Sequence, residues 1–140
     1  MASPRSDDQI LVAEDNPLLA ELLVDQLSLG GWRVVCAGDG AEALAMIEQL
    51  RPSLLVLDIG LPKLDGFAVM AELAARRRAD PANAPDMPII VMSGYGAIED
   101  RDRAFALGAA DVLVKPVSHQ SLLRSVAYRR AAAAPTVACA

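Results

Sequence analysis

Leu54-Leu55-Val56-Leu57-Asp58, residues 54–58, decides how the chain reads. Four consecutive large aliphatic residues fit a strand buried on both faces, the pattern of parallel sheets, and not the alternation of a half-exposed strand. The carboxylate that follows is costly to bury without a partner. Four more apolar runs share this character: Ile10 to Ala13, Trp32 to Cys36, Ile89 to Met92 and Val112 to Val114. Each is read as a buried strand. Between them, apolar residues return at helical spacing: Leu19, Leu23 and Leu27; Leu44 and Ile47; Phe67, Met70 and Leu73; Ile98 to Leu107; and Leu122, Val126 and Tyr128. Gly30 and Gly31 end the first helix, Asp39 and Asp65 stand at cap positions, and Gly108 closes the fourth helix. Five alternations of strand and helix imply a doubly wound α/β fold, a parallel sheet covered on both faces with right-handed crossovers. The stretch from Arg76 to Pro88, with Pro81, Pro85 and Pro88, reads as an extended surface connection that the third helix does not enter far.

The 140 residues fit one domain, and 54% hydrophobic with only 4% aromatic content means a core of Leu, Val, Ile, Met and Ala. A domain of this size buries roughly two-thirds of its unfolded surface and needs no staple. Cys36 and Cys139 have no metal-ligand spacing and form no disulfide framework. No apolar run approaches the roughly 20 residues needed to span a bilayer, and Met1 to Asp8 lacks the apolar centre of a signal peptide, so a cytoplasmic protein without membrane contact is expected. A net charge of −5 argues against a nucleic-acid footprint, and Arg76 to Arg78 and Arg129-Arg130 read as solvated helix ends. Domain limits are expected at residues 9–130, between a disordered segment 1–8 and a flexible tail 131–140.

Ligands of open parallel sheets bind beyond the carboxyl ends of the strands. Here the first strand runs into Glu14-Asp15, the third into Asp58, the fourth into Ser93 and the fifth into Lys115-Pro116. Only the strand ending near Cys36, expected at an edge, carries nothing for phosphate or metal. Three carboxylates brought together need raised pKa values or a cation, and Mg2+ (or Mn2+) suits hard oxygen ligands. Asp58 could then act as a nucleophile toward phosphorus, with Lys115 and the Ser93 hydroxyl meeting the transferring oxygens. Capping of the helix that begins near Pro17 is the competing reading for Glu14 and Asp15. Ser93 and Lys115 carry little weight singly; their joint placement at strand ends does.

At this point the chain resembles the receiver domain of two-component response regulators. The matching pieces are ILVAEDNPLL (10–19), LLVLDIGLPKLDG (54–66), IIVMSGYG (89–96) and GAADVLVKP (108–116), in the family's order and spacing. The resemblance implies a flavodoxin-like (βα)5 fold with strand order 2-1-3-4-5. It implies Asp58 as phosphoacceptor, Glu14 and Asp15 as the acidic metal pair with the Gly60 carbonyl, Ser93 as switch hydroxyl, Lys115 as phosphate partner, and a cis peptide at Pro116. The partners implied are a histidine kinase or histidine phosphotransfer protein and a downstream protein engaged around the fourth helix, fifth strand and fifth helix, with homodimers through that face common in the family. The chain is then a phosphorylation substrate and not an enzyme.

Glu14 stands where many relatives have Asp, and Ser93 where threonine is more frequent; both keep the chemistry. Val112 replaces the usual tyrosine or phenylalanine, so an inward-turning ring is unavailable and output is expected through the loop after Ser93 and the fourth helix. By the same resemblance Gly94, Tyr95 and Val112 are expected as modulators, with the Tyr95 ring able to shield or expose the phosphoryl group to water. Ile98 and Phe105 offer an output surface, with partial packing the preferred reading for Phe105. His119 reads as an exposed first-turn residue. Two rivals are an aspartate-based phosphatase, which normally carries a second aspartate where this chain has Gly60, and a flavin module, which EDNPLL would repel. A third is a receiver-like scaffold that works without phosphorylation.

Overall fold

A computed structural model describes residues 9–94 and 98–133. The elements alternate as expected: β1 (Gln9–Ala13), α1 (Pro17–Leu29), β2 (Arg33–Ala37), α2 (Gly40–Leu50), β3 (Leu54–Asp58), α3 (Gly66–Ala79), β4 (Ile89–Ser93), α4 (Ile98–Ala106), β5 (Asp111–Val114) and α5 (His119–Ala133). All pairings are parallel and the sheet order is β2-β1-β3-β4-β5, the flavodoxin-like arrangement. Tyr95, residues 1–8 and residues 134–140 lie outside the described residues.

Every residue of β3 and β4 is buried, as expected of central strands sandwiched between helix layers. Because side chains alternate along a strand, Leu55 and Leu57 face one layer with Phe67, Met70, Leu73 and Val112. Leu54 and Val56 face the other with Leu23, Leu27, Leu122 and Val126. The sequence groups all five strands as buried, but β2 is not. Arg33 and Cys36 are exposed there. As an edge strand, β2 has only one strand neighbour, and its apolar run marks a half-covered face.

The caps follow the chemistry of their residues. Asp39 Oδ1 accepts the Glu42 N–H at 2.8 Å, and Asp65 Oδ1 accepts the Ala68 N–H at 2.8 Å; each such cap contributes about 1 kcal/mol. Gly108, at φ 107°, takes the left-handed turn that stops α4. The expected connection from Arg76 is corrected: α3 continues through Ala79. Pro81 is the first residue that forbids a helix, and Arg76 is held by Glu72 one turn back at 3.0 Å and by Glu48 of α2 at 2.9 Å. Nor is the remainder all surface, since Pro85 and Met87 are buried.

Candidate functional site

Parallel register brings the strand ends to one edge of the sheet. Ala13 pairs with Leu57, so Glu14 lies level with Asp58. Asp58 pairs with Met92 and Ser93 with Val114, which sets Lys115 one step beyond Ser93. The backbone carries the order past the strands: Glu14 N–H donates to Ala37 O, Ile59 N–H to Met92 O and Lys115 N–H to Ser93 O.

Glu14 and Asp58 are only 2% and 5% exposed, so their charges have little water to satisfy them. Lys115 reaches both, its Nζ lying 3.1 Å from Glu14 Oε1 and 3.0 Å from Asp58 Oδ2. Asp58 Oδ1 accepts the Gly60 N–H at 3.1 Å, and Glu14 Oε2 accepts the Asn16 N–H at 3.1 Å. Asp15 is exposed at the rim, yet carboxylate oxygens of Glu14, Asp15 and Asp58 lie within 4.8 Å of one another. Burial pushes the Glu14 carboxyl above the usual carboxylate range and the Asp58 charge adds to this, against the Asn16 N–H and Lys115. For Lys115, burial works against the ammonium, but hydrogen bonds and charge from Asp58 and Glu14 outweigh it and hold it above an ordinary lysine.

One ammonium among three carboxylates leaves the cluster short of positive charge. The donor set is all hard carboxylate oxygen, which fits a divalent cation of the magnesium type. Within the cluster Asp58 is a buried carboxylate in contact with a cation on a flexible stem, groups of the kind that phosphoryl transfer uses.

The capping alternative for Glu14 and Asp15 is overturned. Asn16 caps α1, its side-chain oxygen accepting from Leu18 and Leu19 N–H at 3.0 and 3.2 Å. Ser93 is buried at the end of β4, and the Lys115–Pro116 peptide is cis. Val112 is buried with Phe67 and Ala104 in the core layer beneath α4. On α4, Ile98 is 73% exposed and Phe105 40% exposed, the latter under the Arg101 guanidinium at 5.6 Å. Gly94 is exposed, as is His119 at the first position of α5. Sequence reading missed Asn16 as the cap, the Gly60 N–H on Asp58 and the double engagement of Lys115. An Asn directly before Pro17 was the available signal for the first; the others are contacts that no spacing announces.

Comparison with known proteins gives a consistent picture. Residues 10–127 match the family model described as the response regulator receiver domain. The chain is 38% identical over 125 residues to the probable transcriptional regulator ycf27 of Porphyridium aerugineum, covering 87% of this chain and 49% of that protein. It is 36% identical over 118 residues to the DNA-binding dual master transcriptional regulator RpaA of Synechocystis, covering 84% of this chain and 47% of that one. This chain thus spans about half the length of these curated relatives. Among solved structures, the signal receiver domain of a histidine kinase from Syntrophus aciditrophicus superposes with a TM-score of 0.80 at 26% identity, covering 95% of this chain and 97% of that one. The chemotaxis protein CheY4 of Vibrio cholerae does so with a TM-score of 0.75 at 25% identity, covering 87% and 98%.

Proposed function

The chain belongs to the response regulator receiver domain family, and on that premise we propose that Asp58 is its phosphoacceptor, taking a phosphoryl group from a histidine kinase or histidine phosphotransfer protein. One observation carries this reading: Asp58 is buried between Lys115 and the Gly60 N–H, with Glu14 and Asp15 within 4.8 Å. A buried carboxylate so placed is held in one rotamer and needs little reorganisation to attack. In the proposed step an Asp58 oxygen attacks the phosphorus of a phosphohistidine. A P–O bond forms, the P–N bond breaks, and the departing imidazole nitrogen takes its proton from water. Lys115 offsets charge on the phosphoryl oxygens, and the Ser93 hydroxyl donates to one of them.

Glu14, Asp15 and Asp58, with the Gly60 carbonyl, would hold Mg2+ (or Mn2+), which when bound supplies charge neutralisation at the phosphoryl oxygens. Phosphorylation replaces the single negative charge of the carboxylate with nearly two on the phosphoryl group, a net gain of about one negative charge at the site. With Val112 unable to swing a ring, output passes through residues 94–107, where Ile98 and Phe105 face solvent.

The partner engaged through α4, β5 and α5 is a protein, either a downstream effector or a second copy. One relative is named as DNA-binding, but this chain aligns with only 47% of it. The net charge of this chain, −5, argues against a large nucleic-acid footprint. No helix among the described residues is long and apolar enough to cross a membrane, and a cytoplasmic site of action completes the reading. To test it, the protein is incubated with magnesium and acetyl phosphate and its intact mass recorded. Wild type gains one phosphoryl group and Asp58→Asn gains none; equal labelling of the two removes Asp58 from the mechanism, and no labelling of either leaves the scaffold reading.

A further inference from the structure

The loop between β3 and α3, residues 59–65, holds an uncommon conformation. Lys63 has φ 69°, the left-handed region that non-glycine residues avoid. Around it, the Leu64 N–H donates to the Pro62 carbonyl at 2.8 Å, two residues back. A hydrogen bond of that span closed over a positive φ is the strained form of the γ-turn. Strain of this kind persists only where the surroundings enforce it.

The enforcing surface is the N-terminus of α2. Gly40 N–H donates to the same Pro62 carbonyl at 3.3 Å. A Cβ at position 40 would fall 1.9 Å from Leu64 O and 2.6 Å from Leu64 Cβ, so the loop rests directly on the glycine backbone. Lys63 Nζ lies 3.4 Å from Asp39 Oδ2, although the lysine side chain is 71% exposed, which makes that ion pair the weaker tie. At its far end the loop is seated again. Gly66 N–H donates to Ile59 O at 2.8 Å, and a Cβ there would fall 2.7 Å from Ile59 Cα and 2.8 Å from Asp58 O. Between these two seats lies Gly60, whose N–H donates to Asp58 Oδ1.

We propose that the left-handed turn at Lys63, seated on Gly40, is a positioning device that aims the Gly60 N–H at Asp58 and so sets the rotamer of that carboxylate. Gly40 and Lys63 are then positioning residues on a neighbouring loop, neither touching the reacting atoms. The inference rests on the reading of Asp58 given above.

The test compares two substitutions at one exposed position. Lys63→Gly and Lys63→Val both delete the ammonium that faces Asp39, but glycine adopts a positive φ freely and a β-branched residue resists it. The Gly60 amide resonance is recorded in a two-dimensional 1H–15N spectrum without metal, and Mg2+ affinity is then measured by titration. Lys63→Gly keeps the Gly60 resonance and an affinity within about twofold of wild type. Lys63→Val shifts the resonance and weakens Mg2+ about three- to tenfold, the low end of what residues supporting a metal site contribute. Gly40→Ala has the larger effect, about tenfold or more; if that variant fails to fold, the Lys63 pair decides alone. An unmoved Gly60 amide in Lys63→Val, or equal losses in the two Lys63 variants, overturns the proposal. If instead wild type never accepts a phosphoryl group, the functional reading fails while the amide comparison still decides this one.

Discussion

Two charged clusters stand at opposite ends of the sheet and are built by opposite rules. At the carboxyl ends of the strands, Glu14, Asp15 and Asp58 share a single ammonium, Lys115, and two of the three carboxylates are buried. At the carboxyl ends of α2 and α3, Glu48 and Glu72 face Arg51 and Arg76, two anions against two cations. All of these partners keep a third or more of their side chains in solvent. The second cluster is balanced and wet, and contributes little to stability. The first is unbalanced and its two buried carboxylates have little water, an arrangement that costs free energy until a cation relieves it. The charge deficit lies where four strand ends converge, the edge at which the proposed chemistry is placed.

Magnesium should separate the clusters most clearly. At about one hundred times its dissociation constant, Mg2+ is expected to raise unfolding free energy by about 2.7 kcal/mol, read by urea denaturation with and without chelator. Asp58→Asn should gain far less, and should be the more stable of the two proteins when metal is absent. A second contrast comes from deleting one cation from each cluster. Lys115→Met should cost about 2 kcal/mol, because two buried carboxylates lose their partner, discounted for the partial exposure of Lys115. Adding Asp58→Asn to that variant should recover most of the loss. Arg76→Ala should cost only about 0.5 kcal/mol, and 1 M salt should erase even that.

An effect between these is expected from pH. The Glu14 carboxyl is raised in the folded protein, mainly by burial and then by Asp58. Its contribution to stability is therefore fully present below the ordinary glutamate range and is lost as pH rises through the raised value. Without metal, the stability of wild type relative to Glu14→Gln should fall across that window. A flat difference would mean that burial and the Asp58 charge do not raise the Glu14 carboxyl.

Much of this was legible in the chain. LLVLD at 54–58 and its four companions set the strands, and the carboxylates, serine and lysine expected at their ends do come to one edge of the sheet. Reading failed where tertiary contact overrides local pattern. The arginines after Leu73 looked like the start of a connection, yet Glu72 and Glu48 hold Arg76 and the helix runs on to Ala79. The run from Trp32 to Cys36 has the composition of a buried strand, but its position at the sheet edge exposes Arg33 and Cys36. Glu14 and Asp15 could equally have been caps until Asn16 was seen in that role. The seat at Gly40 was invisible, since a glycine at the start of a helix does not reveal which backbone lies 24 positions later against it.

The central claim is that Asp58 itself carries the phosphoryl group. Protein treated with acetyl phosphate and magnesium can be reduced with borohydride, which converts an aspartyl phosphate to homoserine, then digested and sequenced by mass spectrometry. The account predicts homoserine at position 58, dependent on the phosphodonor and found nowhere else. Homoserine at Asp15, reduced glutamate at Glu14, or no reduced residue in a protein that has gained phosphate would contradict it.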